Sequence, residues 1–339
     1  MGLLSCVVVM VSSSALWAQT CTTQAKMSSD IRNGLSDAAL ALAQAVQADD
    51  TAKIQGMTIL EFSDAAAFAP TMSLVRSTSS RVANAAFSVT QIYELDASSR
   101  ATSDTSDADF SCPLTGTTSE TDFAIPGLPR GLYGFALVEA SGEHPWRLSL
   151  LLRQDGGVWK LAGFYPRATT AAGHDGQWYW KSARMYAKSD ELWLAWIFYG
   201  EAAELLRPAN IVTSTNLDGL LSERRRSAPP ELIGGIGSND PLILKASDSS
   251  NPKGGVTEYR LTNLSASGSE DGKELNLILH LAANDGSDAA VVTGWSKAAA
   301  QAVLDAHMEL RQAFQQVVVF AGAEGHEPVV TEQTISNIP

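Results

Sequence analysis

The chain has 339 residues, 45% hydrophobic and 18% charged, enough apolar sequence for a substantial core and too much for a disordered chain. Its 24 Lys and Arg stand against 37 Asp and Glu, a formal net charge of −13 that repels phosphate backbones and sets nucleic acid aside as a partner. Beyond the N-terminus no stretch approaches the ~20 apolar residues of a membrane span, so no transmembrane helix is expected in the mature chain.

Residues 1–18, MGLLSCVVVMVSSSALWA, carry no charge, and Leu3 to Val11 has the length of a signal-peptide core. Cleavage after Ala18 would start a periplasmic or secreted chain at Gln19. Export leaves Cys21 and Cys112, candidates for one disulfide; two unrelated buried thiols are the other reading. A lipid anchor on Cys21 is a further alternative, although Ala18-Gln19-Thr20 lacks the Leu and small residues of a lipobox.

Residues 27–57 look helical, with Ile31, Leu35, Leu42 and Val46 at helical spacing, a cap at Ser28 or Ser29, and an interruption at Asp49-Asp50. A third helical stretch over 64–78 is limited by Pro70 and reads as two short pieces. The period then changes to two. Residues 82–95 read as a strand with Phe87, Val89, Gln91 and Tyr93 on one face. Residues 96–118, rich in Ser, Thr and Asp, read as a long exposed loop pinned at Cys112. A short strand over 121–125 precedes three strands over 131–140, 146–153 and 158–165, whose Gly-containing turns suit an antiparallel meander.

Ala45-Val46-Gln47-Ala48-Asp49-Asp50-Thr51-Ala52-Lys53-Ile54 resembles the helix-turn-helix start of the NTF2-like family. Leu148-Ser149-Leu150-Leu151-Leu152, followed by Gly157-Val158-Trp159-Lys160-Leu161, resembles its final strand pair. The resemblance covers about residues 27–167. It implies a cone of helices on a curved antiparallel sheet, often holding a small hydrophobic ligand and, in isomerase-like and dehydratase-like members, an acid or a histidine inside it.

Ala183, Tyr186, Ala195, Tyr199 and Ala202, with Pro208 close behind, sit at the offsets of one tetratricopeptide-like helical hairpin. A lone unit of that kind cannot bury its own face, so residues 177–208 are expected to pack on the cone sheet, with Trp159 and Phe164 receiving them. The expected organisation is α+β: an NTF2-like domain over 19–169, the hairpin over 170–210, a linker or loosely structured connection over 211–254, and a small α+β domain over 255–339. This order of domains resembles secreted bacterial proteins from which no activity carries over.

No nucleophile elbow, zinc-protease helix, phosphate loop or dinucleotide fingerprint occurs, and no cofactor or metal is expected. In the cone, Asp122, Tyr133, Glu139 and His144 are the groups that apolar walls would tune for acid–base work. His174-Asp175 opens the hairpin, either as a helix cap or as a polar site. Six Trp fall between 146 and 196, and Trp178, Trp180, Trp193 and Trp196 are the candidates for stacking on a sugar ring or a partner protein. Arg224-Arg225-Arg226 reads as a solvated loop patch. The favoured reading is a non-catalytic envelope protein binding an unknown protein or a small hydrophobic or carbohydrate ligand. Its rival is a small-molecule enzyme acting in the cone.

Overall fold

The computed structural model describes residues 19–62, 64–247, 256–269, 271–283, 288–323 and 325–338; the leader expected over 1–18 lies outside them. The class is α+β. The chain opens with β1 (Thr20–Thr23) and α1 (Ser29–Gln47), which starts where the Ile31 N–H donates to Ser28 Oγ at 3.4 Å. Asp49, in the left-handed region at φ 49°, breaks the helix, and Asp50 caps α2 (Thr51–Gly56) by accepting from the Lys53 N–H. α3 (Ala65–Ser79) runs unbroken through Pro70, capped by Asp64. The proline falls in the second turn, where one lost hydrogen bond leaves the rest of the ladder intact.

Next come β2 (Ala86–Asp96), β3 (Ala108–Pro113), β4 (Glu120–Ile125), β5 (Leu132–Ser141), β6 (Trp146–Asp155) and β7 (Val158–Ala168). Four of these strands join β1 in an antiparallel sheet in the order β1-β2-β5-β6-β7. α1 lies across one face, burying Leu35, Leu42 and Val46 against Ala136, Val138, Leu148, Leu150 and Trp159. Gly134 permits this approach, because any Cβ there would overlap the Leu35 side chain.

The strand reading of 82–95 is corrected in one respect. A bulge between Val89 and Gln91 shifts the register against β5, so Tyr93 and Leu95 face the opposite side from Phe87 and Val89. One extra residue inverts the alternation beyond it. The loop expected over 96–118 contains β3, because Ala108, Phe110 and Cys112 alternate inward. β3 and β4 belong to a small separate sheet on the far face of the first. There Phe123 meets Tyr93 and Phe135 edge-on at centroid distances of 5.2 and 5.1 Å. Cys21 and Cys112 form a disulfide, Cα–Cα 5.2 Å, that closes 91 residues and ties β1 to β3. With its sulfur bonded to Cys112, Cys21 is not a lipid anchor.

The chain continues through the two-residue strands β8 (Thr170–Ala171) and β9 (His174–Asp175) into a hairpin of α4 (Gly176–Lys188) and α5 (Leu192–Leu206). The connection expected over 211–254 carries regular secondary structure within its described residues, 211–247. It forms β10 (Val212–Ser214), which pairs with β4, then α6 (Thr215–Arg226) and β11 (Leu242–Ser247). Ser214 caps α6, and Leu217 and Leu220 bury its inner side. Last come β12 (Val256–Gly268), β13 (Leu275–Ala282), α7 (Ala289–Ala306), α8 (Leu310–Ala313), β14 (Gln316–Gly322) and β15 (Val329–Thr334). β11 to β15 form a second five-stranded sheet in sequence order, with β13 and β14 parallel across α7.

Hairpin packing differs from the expectation. Eleven of the fifteen residues of α5 are buried, so the helix needs apolar neighbours on nearly every side. The first sheet has none left to offer: α1 covers one face, and β3, β4 and β10 occupy much of the other. Trp159 and Phe164 lie under α1. The hairpin therefore shares its core with Leu261, Leu264, Leu277 and Leu279 of the second sheet and with Phe314. It meets the first sheet through polar contacts, Ser149 Oγ to the Pro208 carbonyl at 2.9 Å and Arg167 to Glu204 and Asn210.

Candidate functional site

The residues singled out in the sequence do not converge. Tyr133 is buried, donates its hydroxyl to the Pro129 carbonyl at 2.9 Å, and has its ionisation pushed up by that burial. Glu139 is ion-paired to Arg147 at 2.7 Å. Asp122 lies on β4, where Ser111 donates to it, beside a shallow hollow of about 890 Å³ also lined by Asp109, Arg207 and Asn210. None of these three is aimed at an open cone interior; the space between α1 and the sheet is filled by Leu35, Leu42, Ile54, Leu150 and Trp159.

At the hairpin, Asp175 is the cap of α4, accepting from the Trp178 N–H at 2.8 Å. His174 stacks on Trp178, ring centroids 3.7 Å apart and planes nearly parallel. Of the four tryptophans, Trp178 alone is exposed, at 39%. Trp180 donates its indole N–H to Glu223 at 2.9 Å beneath the Arg184 guanidinium. Trp193 is buried against His307, whose protonation burial disfavours. Trp196 is buried under Arg224, which also donates to the Trp196 carbonyl. The arginine run is thus not a loop but the end of α6: Arg225 and Arg226 are exposed, as a solvated patch requires, whereas burial lowers the Arg224 pKa to about 10.

Only His144 enters a larger arrangement. It lines a cleft of about 430 Å³ where the two sheets and the hairpin meet. One wall is the β6–β7 end, held together by Thr169, whose N–H and Oγ both reach the Pro145 carbonyl at 3.0 and 3.1 Å, and carrying Trp146. The opposite wall is the end of β12 with the turn after it. There Gly272, at φ +67°, lies against the His144 ring, and no side chain fits. Ser80 and Arg81, just beyond α3, stand at the mouth.

Glu201 of α5 lines this cleft and is 5% exposed. No hydrogen bond or ion pair reaches its carboxylate among the described residues. Desolvation, with a smaller contribution from the negative charge of Glu204, raises its pKa to about 8. Tyr179, directly beside it, has its ionisation strongly opposed by the same burial, and donates its hydroxyl to the Ala171 carbonyl at 2.9 Å. The neighbouring carboxylates behave differently. Glu204 is exposed and paired with Arg167. Glu223 accepts from Arg184, Trp180 and Tyr199, which hold its pKa at about 2. A buried acid with no partner among the described residues can bind a donor or exchange a proton near neutral pH.

Sequence reasoning missed Glu201. Its signal was a single carboxylate in LWLAWIFYGEAAELL, at a position that the apolar residues on every side force inward. Among the described residues no group of three His, Cys, Asp or Glu side chains is placed to hold a metal ion, and no helix is long and apolar enough to cross a membrane. Compared with family models, curated proteins and solved structures, the chain matches none of them.

Proposed function

We propose that this protein is an exported, non-catalytic binding module whose ligand occupies the cleft around Glu201. One observation carries the reading: a cleft assembled from distant segments has an unpartnered carboxyl group on its inner surface. Leaving such a group unpaired costs stability, and folded chains retain costs of that kind where a ligand offsets them. The disulfide supports an oxidising compartment. The NTF2-like resemblance is proposed for residues 27–167, supported by the helix-turn-helix start over α1 and α2 and by the closing β6–β7 pair. In this reading the cone is a filled scaffold and the site lies outside it. The tetratricopeptide-like hairpin is proposed as the element that presents Glu201.

A ligand-observed NMR fragment screen tests the proposal. Small fragments should bind the mature chain, and Ser267→Trp, which fills the cleft from an exposed lining position, should abolish the hits. Hits that survive Ser267→Trp unchanged would place binding elsewhere. Recovery of the mature protein from the native host's envelope, starting near Gln19, tests export.

A further inference from the structure

We infer that the cleft takes a small organic cation whose ammonium group sits on the Glu201 carboxylate; this rests on the reading of the cleft as the ligand site. What the carboxylate lacks is a donor. Each element packed around it fails to provide one. From α4, Tyr179 has committed its hydroxyl hydrogen to Ala171. From β12 and the β6–β7 end, Gly268 and Ala168 carry no side-chain donor, and neither the Trp146 indole N–H nor the Thr170 hydroxyl, both uncharged, is hydrogen-bonded to the carboxylate. On α5 itself Glu204 is an anion, and its partner Arg167 is taken up by it and by Asn210. Arg224 reaches α5 at Gly200 and is committed to Trp196.

Two cationic or potentially cationic groups, Arg81 and His144, line the cleft, but both are exposed at its mouth. Water screens an exposed charge, whereas a buried one acts at nearly full strength. The group that reaches the floor is therefore selected by Glu201 and not by the mouth. An ammonium brings up to three donors and the opposite charge, and charge-assisted hydrogen bonds are about twice as strong as neutral ones. A hydroxyl brings one neutral donor. Trp146 on the adjacent wall supplies an aromatic surface that suits the same cation. The chain's formal net charge of −13 biases encounter toward cations as well.

The test uses three ligands that share one phenylethyl skeleton on the full mature chain: phenethylamine, the equally sized 2-phenylethanol, and 3-phenylpropionate. Binding is read from the Trp146 indole N–H signal, assigned by its absence in Trp146→Phe. Phenethylamine should bind at least tenfold more tightly than the alcohol, and the propionate should not bind. Glu201→Gln, which preserves shape and removes the charge, should erase the preference. In the wild type the phenethylamine affinity should rise close to tenfold from pH 6 to pH 7 and level off above about pH 8, because the ligand stays protonated while Glu201 ionises. That pH profile needs no variant. If the alcohol or the propionate binds as well as the amine, the cation class is overturned and the cleft stands as a site. If none of the three perturbs Trp146, the inference is overturned, and a negative fragment screen then removes the cleft reading beneath it.

Discussion

Glu223 accepts hydrogen bonds from three side chains and Glu201, among the described residues, from none, and the two residues accordingly bend the pH dependence of stability in opposite directions. For Glu223 the folded pKa, about 2, lies below the unfolded value, so it stabilises the fold above the ordinary glutamate range and loses that contribution as pH falls toward 2. Glu223→Gln should cost roughly 1–2 kcal/mol at pH 7, discounted for its partial exposure, with the gap closing in acid. For Glu201 the folded pKa, about 8, lies above the unfolded value. The folded state then binds the extra proton, and stability declines as pH rises from about 4.5 to about 8, by up to roughly 5 kcal/mol. Glu201→Gln should be nearly neutral at pH 5 and clearly stabilising at pH 9. Urea denaturation of both variants across that pH range checks the signs, and a Glu201→Gln variant no more stable than wild type at pH 9 would contradict the burial argument.

At the scale of elements, strands and helices with a clear period were legible and their docking was not. α1, α2, β5, β6 and β7 lie within a few residues of where apolar spacing puts them, because each presents one consistent face to a core. β3 was hidden in a polar loop, since its outward residues Asp109, Ser111 and Pro113 mask three inward ones. The reversal of faces along β2 comes from a single bulged position, which no alternation count reveals. α6 was lost behind its arginines, although Ser214, Leu217 and Leu220 already spell a capped helix with one apolar side. The pairing of Cys21 with Cys112 needed only cysteine arithmetic. A cross-link closing 91 residues is worth roughly 4–5 kcal/mol in the chain-entropy account. Cys112→Ser should lower the denaturation midpoint markedly under oxidising conditions, and reductant should bring the wild type down to the same level. Equal stability with and without reductant would mean that β1 is held by its pairing with β2 alone.

Across the whole molecule, the hairpin binds the two sheets into one body, and Glu201 has its unusual surroundings for that reason. The sequence showed that α5 was too apolar to stand alone but not which neighbour would cover it, because both flanking units offer leucine-rich strands. Occupancy decided the matter: the first sheet is already covered, and the second presents Leu261, Leu264, Leu277 and Leu279. Removal of residues 241–339 should therefore strip α5. Exposing ~400 Å² of apolar surface costs about 10 kcal/mol, and the fragment should aggregate or melt far below the full chain. A soluble fragment of unchanged stability would mean that the hairpin is self-sufficient.

Glu201 is a buried acid with no partner among the described residues, open to a ligand. A carbon-13 NMR titration of the glutamate carboxyl signals reads this directly, with the Glu201 signal assigned by its loss in Glu201→Gln. One carboxyl should titrate near pH 8 in the free protein, far from the others, and shift to lower pH when phenethylamine is bound. A Glu201 signal titrating in the ordinary range of about 4 to 4.5 would show a solvated or paired carboxylate and contradict the account.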